Sequence, residues 1–294
     1  PVSAYLDLEQ IVSIAKENEC ALVHPGYGFL SENAVFAKKC SEQGIEFIGP
    51  EHSVLKLFGD KVQARQLAES LSIPTIPGSK DALDSVGAAK EVAQAIGYPI
   101  MLKASSGGGG RGMRAVANEK EMEEAFERCA SEAKSSFGDE RLFLEKLIER
   151  PRHIEIQILA DKHGDIIHLF ERDCSIQERN QKVIEIAPAP NLDPTLVDQL
   201  YKDAKNIAKE TGYTNAGTVE FLVTPETGEY FFIECNPRIQ VEHTITEEIT
   251  GVDLVETQFR ISLGETLTSM NLDKFNENKR PSSFAIQARV VSKG

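Results

Sequence analysis

The sequence predicts an α/β protein of several units, and three observations support this. Near the N terminus, the apolar stretches "CALVHPG" and "IEFIGP" flank a helical pattern, the spacing of a parallel strand–helix–strand unit. Four consecutive glycines, at 107–110, lie between the strand patterns "YPIMLKAS" and "GMRAV". From residue 151 onward the chain is rich in strand patterns, beginning with "HIEIQILAD". The predicted domain ranges are 1–58, 59–147, 148–280 and 281–294.

Local signals place the individual elements. Ser31 is the predicted N-cap of the helix in "SENAVFAKKCSEQG", and Gly44 is its predicted stop. A helix at about 60–70 precedes "IPTIPGS", whose prolines indicate a boundary. Asn118 and Glu121 have the spacing of a capping box at the start of another helix. A long helix is expected at about 194–211, and "TPETGE" between two strand patterns predicts a β-hairpin.

Composition limits the classes of function. A net charge of -14, from 32 basic and 46 acidic residues, argues against a broad surface for nucleic acid or anionic lipid. The chain shows no apolar run of membrane-spanning length and no signal-peptide pattern. Its five scattered cysteines form no C-x-x-C pair, which indicates reduced thiols in the cytoplasm or the mitochondrial matrix. Because the chain begins without Met and ends within a strand pattern, we expect it to be part of a longer protein.

The glycine run has three possible meanings. Gly107, Gly109 and Gly112 satisfy G-x-G-x-x-G, but a dinucleotide-binding turn would open a helix, whereas "MRAV" alternates like a strand. Arg111 and Gly112 also replace the Lys-Ser/Thr that ends a Walker loop. Glycines between two strands let backbone amides approach an anion. A flexible hairpin and a phosphate-covering flap, with Lys103 and Arg111 as flanking cations, both remain open.

Two glutamates stand in strongly apolar strand patterns. Glu220 lies in "GTVEFLV" and Glu234 lies in "YFFIECN", with Asn236 on the same strand face as Glu234. Carboxylates in such strands are costly to bury unless they are paired or bind a metal ion. Two carboxylates and an amide oxygen suit Mg²⁺. The alternative is that one glutamate faces solvent or pairs with Arg238.

The segment "NPRIQVEH" carries three polar side chains in alternation, Arg238, Gln240 and Glu242. If the segment is extended, these side chains lie on one side of it. An arginine beside a carboxylate then suggests a clamp for an oxyanion next to a general base. A surface salt bridge is the alternative interpretation.

Nine ordered segments carry a family resemblance. They are "HPGYGFLSENAVFA", "FIGP", "GDKVQAR", "LKASSGGGGRGM", "FLEKLIERPRHIEIQILAD", "ERDCSIQERNQK", "GTVEFLV", "FFIECNPRIQVEHTITEEITG" and "FAIQARV". The sequence resembles the biotin carboxylase component of biotin-dependent carboxylases, within the ATP-grasp superfamily. This resemblance implies an α+β ATP-grasp fold, with a partial parallel N-terminal α/β domain, a small lid carrying the glycine-rich hairpin, and a larger mixed-sheet lobe. Residues 281–294 would begin a truncated C-terminal domain.

The resemblance also implies a reaction and partners. The family consists of ligases that form a C–N bond: ATP, with Mg²⁺ or Mn²⁺, phosphorylates bicarbonate to carboxyphosphate, and CO₂ passes to biotin held on a carrier domain. The implied partners are the biotin carrier and carboxyltransferase domains, in the same polypeptide, and further copies of the biotin carboxylase domain.

The resemblance implies site residues of four kinds. The nucleotide-binding residues would be Lys61, Lys103, Gly109, Gly110, Glu145, Lys146, Ile148, His153, Gln177 and Leu222. The metal ligands would be Glu220, Glu234 and Asn236. The bicarbonate-binding residues would be Lys182, Arg238, Gln240 and Val241. The catalytic residues would be Lys182, Arg238, Glu242 as general base, and Arg289.

The sequence departs from the family pattern at a few positions. Ser106 stands where many relatives have glycine, and Glu178 and Asn180 occur in "QERNQK", where many have "QRRHQK". The segments "GYTNAGTVEFL" and "NPRIQVEHTITEEITG" are most similar to the branch that carboxylates pyruvate. Asn180 is instead similar to branches that carboxylate propionyl-CoA or urea. The final carboxyl acceptor therefore stays open, and another ATP-grasp ligase or a non-catalytic ATP-binding remnant remain alternatives.

Overall fold

The structure, a computed structural model, describes residues 2–106, 112–277 and 280–291. The α-helices in these ranges are α1 Leu8–Glu17, α2 Ala34–Glu42, α3 His52–Gly59, α4 Lys61–Ser70, α5 Val86–Ile96, α6 Met122–Phe137, α7 Pro194–Glu210, α8 His243–Thr250 and α9 Leu254–Ser262. The strands are β1 Leu22–Val23, β2 Glu46–Phe47, β3 Ile100–Ala104, β4 Met113–Val116, β5 Leu142–Lys146, β6 Arg152–Ala160, β7 Ile166–Glu178, β8 Gln181–Ala187, β9 Asn215–Val223, β10 Tyr230–Asn236 and β11 Ala285–Ala288. Short 3₁₀ helices cover Val2–Leu6, Glu119–Glu121 and Asp273–Glu277.

The N-terminal part contains the predicted parallel unit. Strands β1 and β2 pair in parallel, and α2 connects them. The predicted N-cap at Ser31 is wrong: α2 begins at Ala34, and Asn33 caps it because its side chain accepts the Phe36 amide at 2.8 Å. Gly44 follows the helix end with φ +72°, a conformation that favours glycine, so it is a stop signal as predicted.

A small three-stranded antiparallel sheet follows, in the order β4–β3–β5, and α5 and α6 cover it. Residues 107–111 lie outside the described ranges, but the strands on either side are antiparallel neighbours, with Lys103 opposite Met113. A strand after Gly112 excludes the dinucleotide-binding turn, which requires a helix there. Asn118 is an N-cap as predicted, because its side chain accepts the Lys120 amide at the start of the 3₁₀ turn that leads into α6. The capping box itself does not form: Glu121 accepts from the Ala117 amide and the Asn118 side chain rather than from the Asn118 amide.

The largest sheet has six strands in the order β10–β9–β6–β7–β8–β11. Each of its ladders is antiparallel. The sheet was expected to be mixed; among the residues that the structure describes, its parallel component is one bridge, between Thr75 and Phe232 at the β10 edge. On one face, α7 packs on apolar side chains such as Ile154 and Ile156. On the other face, α9 covers one end through Leu254 and Ile261, and the opposite end carries the polar side chains of the site.

Candidate active site

A cavity of about 1310 Å³ is lined by both the three-stranded and the six-stranded sheet. Every predicted site residue within the described ranges lines it; Gly109 and Gly110 lie outside those ranges. The lining residues from the predicted sets are Lys61, Lys103, Glu145, Lys146, Ile148, His153, Gln177, Lys182, Glu220, Leu222, Glu234, Asn236, Arg238, Gln240, Val241, Glu242 and Arg289. The structure therefore brings together residues that are more than 200 positions apart in sequence, as expected of one site.

Four charged residues form a row across the six-stranded sheet, and we call it the charged row. Arg172 on β7 lies opposite Glu155 on β6, Glu155 lies opposite Glu220 on β9, and Glu220 lies opposite Glu234 on β10. Directly opposed residues share a face of the sheet, and like charges in such positions repel. The three adjacent glutamates therefore require cations beside them.

A β-bulge is responsible for the last pairing in the charged row. The register of β10 against β9 shifts between Phe232 and Glu234, so Phe232 lies opposite Phe221 while Glu234 lies opposite Glu220. The extra residue, Ile233, turns the chain so that Phe232 packs in the core whereas Glu234 faces the cavity. In a regular strand these two residues would share a face.

Glu220 is the most heavily bonded carboxylate of the site. It accepts from His153 Nε2 at 2.5 Å and Lys182 Nζ at 2.8 Å, and also from the amides of Asn236 and Gln240. Burial opposes ionisation, but the charges of Lys182 and His153 hold the pKa of Glu220 well below its usual value. Burial likewise favours neutral imidazole, yet Glu220 raises the pKa of His153 above its ordinary value.

Lys182 is the cation at the centre of the site. Its Nζ lies 2.5 Å from Glu155 Oε2, 2.8 Å from Glu220 Oε1 and 2.8 Å from Glu242 Oε1. Burial alone would favour the neutral amine, but these carboxylates raise the pKa of Lys182 well above its usual value. The ammonium therefore stays charged and offsets the repulsion among the three carboxylates.

Glu242 lies between two cations. One oxygen accepts from Lys182, and the other accepts from Arg289 Nη2 at 2.8 Å. Burial opposes its ionisation, but Lys182 and then Arg172 lower the pKa of Glu242. Arg289 is itself oriented by Glu185, which accepts from its Nε at 2.6 Å. The Glu242 carboxylate is thus held ionised and in one orientation at the cavity wall.

Arg238 is held at the mouth of the cavity by a residue from the N-terminal part. Its Nε donates to Glu32 at 2.6 Å, and its Nη2 donates to Asn236 Oδ1 at 3.1 Å. The alternative in which Arg238 pairs with one of the strand glutamates is wrong, because Glu234 pairs with Lys61 at 3.1 Å.

Glu220, Glu234 and Asn236 are of the donor types that Mg²⁺ takes, and the two carboxylates fit such an ion. In this structure Asn236 Oδ1 accepts from Arg238 and its Nδ2 donates to Glu220, so the amide would have to turn to offer its oxygen to an ion. Burial opposes ionisation of Glu234, but Lys61 lowers the pKa of this carboxyl group. Two ionised carboxylates therefore face each other across β9 and β10, with a side-chain amide on the same face. Mg²⁺ prefers oxygen ligands of this kind.

The side chains expected at the nucleotide occupy the other part of the cavity. Lys103 Nζ lies 2.5 Å from Glu145 Oε2, so two of the expected nucleotide-binding side chains form an ion pair at the cavity. Lys146 Nζ donates to the carbonyl oxygens of Gly97 and Tyr98. Gln177 Nε2 lies 2.9 Å from His153 Nδ1, so the two side chains expected at the ribose contact each other. His153 in turn contacts Glu220, one of the expected metal ligands.

Comparison with known proteins places this geometry in a family. A family model described as carbamoyl-phosphate synthase L chain, ATP binding domain, matches residues 60–270, and one described as biotin carboxylase, N-terminal domain, matches residues 1–55. The chain belongs to the biotin carboxylase family. The family and the α/β fold expected from the ordered segments are thereby confirmed.

Curated relatives of this biotin carboxylase chain are much longer proteins. Pyruvate carboxylase of Bacillus subtilis is 54% identical over 294 residues, which are 99% of this chain and 25% of that protein. The human mitochondrial pyruvate carboxylase is 52% identical over 292 residues, 99% of this chain and 24% of that protein. The chain therefore spans about a quarter of the length of the curated relatives it matches.

Solved biotin carboxylase structures have the same fold. The biotin carboxylase domain dimer of Hydrogenobacter thermophilus 2-oxoglutarate carboxylase, in complex with MgADP, ADP and bicarbonate, is 48% identical with a TM-score of 0.94, over 98% of this chain and 62% of that one. Rhizobium etli pyruvate carboxylase with acetyl coenzyme A is 45% identical with a TM-score of 0.93, over 98% of this chain and 25% of that one. All five cysteines of the biotin carboxylase chain are free. None of its described helices has the length and apolar character to cross a membrane.

Sequence reasoning missed two members of the charged row, Glu155 and Arg172. Both are completely buried and bonded to each other at 2.5 Å. A signal for both was present. Glu155 is a carboxylate between isoleucines in "HIEIQILAD", and Arg172 stands in the strand pattern "IIHLFERDCSIQ". Opposite charges on two apolar strands that pair as neighbours predict a buried ion pair.

Proposed function

We propose that this chain catalyses the ATP-dependent carboxylation of biotin by bicarbonate through carboxyphosphate, as part of a longer biotin-dependent carboxylase. The observation that carries the proposal is the position of Glu242. Its ionised carboxylate lies between Lys182 and Arg289, in the same cavity as Glu220 and Glu234, the carboxylates expected to bind a metal ion. This arrangement would supply a base, an anion site and a metal site at one place.

The nucleotide would lie between the two sheets. Lys61 and Lys103, which now pair with Glu234 and Glu145, would contact its phosphates. The glycines Gly109 and Gly110 would close over the same phosphates. Side chains of His153 and Gln177 would face the ribose. The adenine would be met by Glu145, Lys146, Ile148 and Leu222.

Glu220, Glu234 and Asn236 would hold Mg²⁺ or Mn²⁺. A divalent cation bound there would neutralise charge on the phosphate oxygens during phosphoryl transfer. His153 and Lys182 hold Glu220 in place by hydrogen bonds, so the orientation of this carboxylate exists before any ion binds.

Bicarbonate would bind beside Glu242, with Lys182, Arg238, Gln240 and Val241 around it. Glu242 would accept the bicarbonate proton at its carboxylate, which neighbouring cations keep ionised. A lowered pKa makes Glu242 a weak base, so its contribution rests on position and on the transfer of negative charge to the attacking oxygen. The attack would then depend mainly on alignment and on the nearby cations.

The second half of the reaction would use the two arginines. Arg238 would stabilise the anion formed when carboxyphosphate releases CO₂ and would also face the enolate of biotin. Arg289 would meet the biotin or the reacting carboxyl group. Both guanidinium groups are oriented by a carboxylate behind them, Glu32 and Glu185 respectively.

We propose pyruvate as the final carboxyl acceptor and a carrier and a carboxyltransferase domain in the same polypeptide as partners. The length and the names of the curated relatives support this. A homo-oligomer through biotin carboxylase domains is supported by the dimeric neighbour. The free, mainly buried thiols suit the cytoplasm or the mitochondrial matrix. Carboxylation of an acyl-CoA, urea or 2-oxoglutarate, but not of pyruvate, by the intact protein would overturn this choice of acceptor.

The decisive experiment is bicarbonate-dependent ATP hydrolysis by the intact protein that contains this chain, with and without free biotin. We expect biotin to stimulate turnover. Glu242→Gln should lower it by about a hundredfold or more, because the general base is lost, while leaving MgATP affinity nearly unchanged. The matched control is Glu248→Gln, an exposed glutamate on α8. ATP turnover that responds to amines or amino acids but not to biotin would assign the site to another ATP-grasp ligase.

A further inference from the structure

Arg172 is a completely buried arginine next to the site, and it does not line the cavity. An arginine side chain has five N–H donors and no acceptor. Here the five donors reach five different side chains. The acceptors are Glu155 for Nε, Gln157 and Thr246 for Nη1, and Thr218 and Gln240 for Nη2. The guanidinium thus joins β6, β9, α8 and the segment that precedes α8.

One of these bonds fixes the orientation of a side chain at the cavity wall. Gln240 Oε1 accepts from Arg172 Nη2 at 3.1 Å, and its Nε2 donates to Glu220 Oε1 at 3.0 Å. Rotation of the amide by 180° would point an N–H group at a pure donor and an oxygen at a carboxylate. The pair of neighbours therefore permits one orientation, with the Gln240 oxygen toward Arg172.

This orientation matters for an anion in the cavity. The NH₂ group of Gln240 lies toward Glu220, which lines the cavity, and its carbonyl oxygen lies toward Arg172, which does not. An oxygen of bicarbonate needs such a donor, and a freely rotating amide would spend part of its time presenting an acceptor instead. The orientation is set by a residue that does not line the cavity.

We propose that Arg172 is a positioning residue that sets the affinity for bicarbonate by fixing the amide of Gln240. The inference rests on the proposed function, in which Gln240 binds bicarbonate. It goes further because it assigns the polarity of that contact to a buried residue outside the cavity. A purely structural arginine would change stability, and it would change bicarbonate and nucleotide binding together.

Arg172→Lys is the main variant, because lysine keeps a positive charge for Glu155 but loses the planar fork that reaches Gln240. The readout is the dissociation constant of ¹³C-labelled bicarbonate, measured by NMR line broadening on the MgADP-loaded intact protein. We expect it to rise about tenfold, as for the loss of one charge-assisted hydrogen bond. The dissociation constant of MgADP should change by less than about twofold.

A double-mutant cycle separates positioning from general damage. Gln240→Ala alone should also weaken bicarbonate binding about tenfold. The double variant, Arg172→Lys with Gln240→Ala, should bind about tenfold more weakly than the wild type, as each single variant does, because both changes remove the same contact. A loss of about a hundredfold in the double variant would overturn the inference. So would parallel losses of bicarbonate and MgADP affinity in Arg172→Lys.

A matched pair of isosteric variants keeps the inference testable if Arg172→Lys does not fold. Thr218→Val removes the acceptor that shares Nη2 with Gln240, whereas Thr246→Val removes an acceptor of Nη1. We expect Thr218→Val to weaken bicarbonate binding several-fold and Thr246→Val to leave it within about twofold. Equal effects would overturn the inference.

The same samples separate this inference from the proposed function. If the wild-type protein binds bicarbonate and follows the cycle but shows no biotin-stimulated ATP hydrolysis, the proposed function fails and the role of Arg172 stands. A wild-type protein without bicarbonate affinity overturns both.

Discussion

Arg238 Nε donates to the carboxylate of Glu32 across 2.6 Å, although 206 positions separate the two residues in sequence. The ion pair joins the N-terminal part of the chain to the wall of the cavity. We predict that Glu32→Gln raises the KM for bicarbonate several-fold, because Arg238 loses its charged partner but keeps Asn236 and a backbone carbonyl as acceptors. MgATP affinity should stay within about twofold. Glu42→Gln, at an exposed position on α2, is the control, and an unchanged KM in Glu32→Gln would contradict the prediction.

Glu234 should be required for the metal rather than for the fold. Glu234→Gln removes one of two opposed carboxylates and leaves the β10 ladder intact. We expect its MgATP affinity, measured by isothermal titration, to fall about tenfold or more, with a higher Mg²⁺ requirement for turnover. Glu226→Gln, in the exposed turn of the same hairpin, should bind as the wild type does. Equal binding by the two variants would argue for a non-catalytic remnant without this metal site.

Gly217, the glycine of β9, is predicted not to tolerate a side chain. A Cβ atom there would lie 2.1 Å from Tyr213 Oη, which is buried and donates to the carbonyl of Ala216. Gly217→Ala should therefore lower the free energy of unfolding by about 1–3 kcal/mol or more, as expected for overpacking in a core. Gly59→Ala, in α3 with open space around the new methyl group, should be neutral or stabilise by up to about 1 kcal/mol. Chemical denaturation of both variants measures the difference, and similar stabilities would show that Tyr213 can move aside.

Asp203 should give stability a dependence on pH. It is buried on α7, where Tyr230 Oη donates to it at 2.7 Å and Gln199 donates at 2.9 Å. Burial raises the pKa of Asp203 above its usual value, although these hydrogen bonds act in the opposite direction. The folded state then binds the proton more tightly than the unfolded chain does. The free energy of unfolding should fall as the pH rises from the ordinary aspartate pKa through the raised one.

Asp203→Asn tests this sign. The variant lacks the titrating group, so its stability relative to the wild type should increase across that pH range and level off above it. Urea unfolding between about pH 4 and pH 8 measures the difference. A stability difference that does not vary with pH would show that Asp203 keeps an ordinary pKa in the folded state.

Much of the site could be predicted from the sequence because charged residues stand at strand positions where a core residue would ordinarily be apolar. Glu220 and Glu234 are carboxylates in apolar strands, and the hairpin between them is short enough to be read directly. The parallel unit and the helix after Asn118 followed from similarly local signals. The roles of the individual site residues came from the family resemblance and stay predictions.

What the sequence did not predict depends on tertiary pairing. Alternation alone places Phe232 and Glu234 on the same face, and only the bulge at Ile233 sends them to opposite faces. The partner of Arg238 could not be found locally, because Glu32 comes from another part of the fold. Helices α3 and α8 span 8 residues each, α9 spans 9 and strand β8 spans 7, so each has few residues to show a periodic pattern in the sequence.

The charged row also constrains how this protein can change over generations. Arg172, Glu155, Glu220 and Glu234 are successive neighbours on adjacent strands. Lys182 on β8 and Lys61 on α4 offset the negative charge of the row. Replacement of Arg172 or Glu155 alone leaves the other buried charge without its counterpart, so such a change is tolerated best together with a compensating one. Sequence drift at these positions is therefore expected to be epistatic: divergent relatives should differ there by coordinated pairs of substitutions or keep the row unaltered.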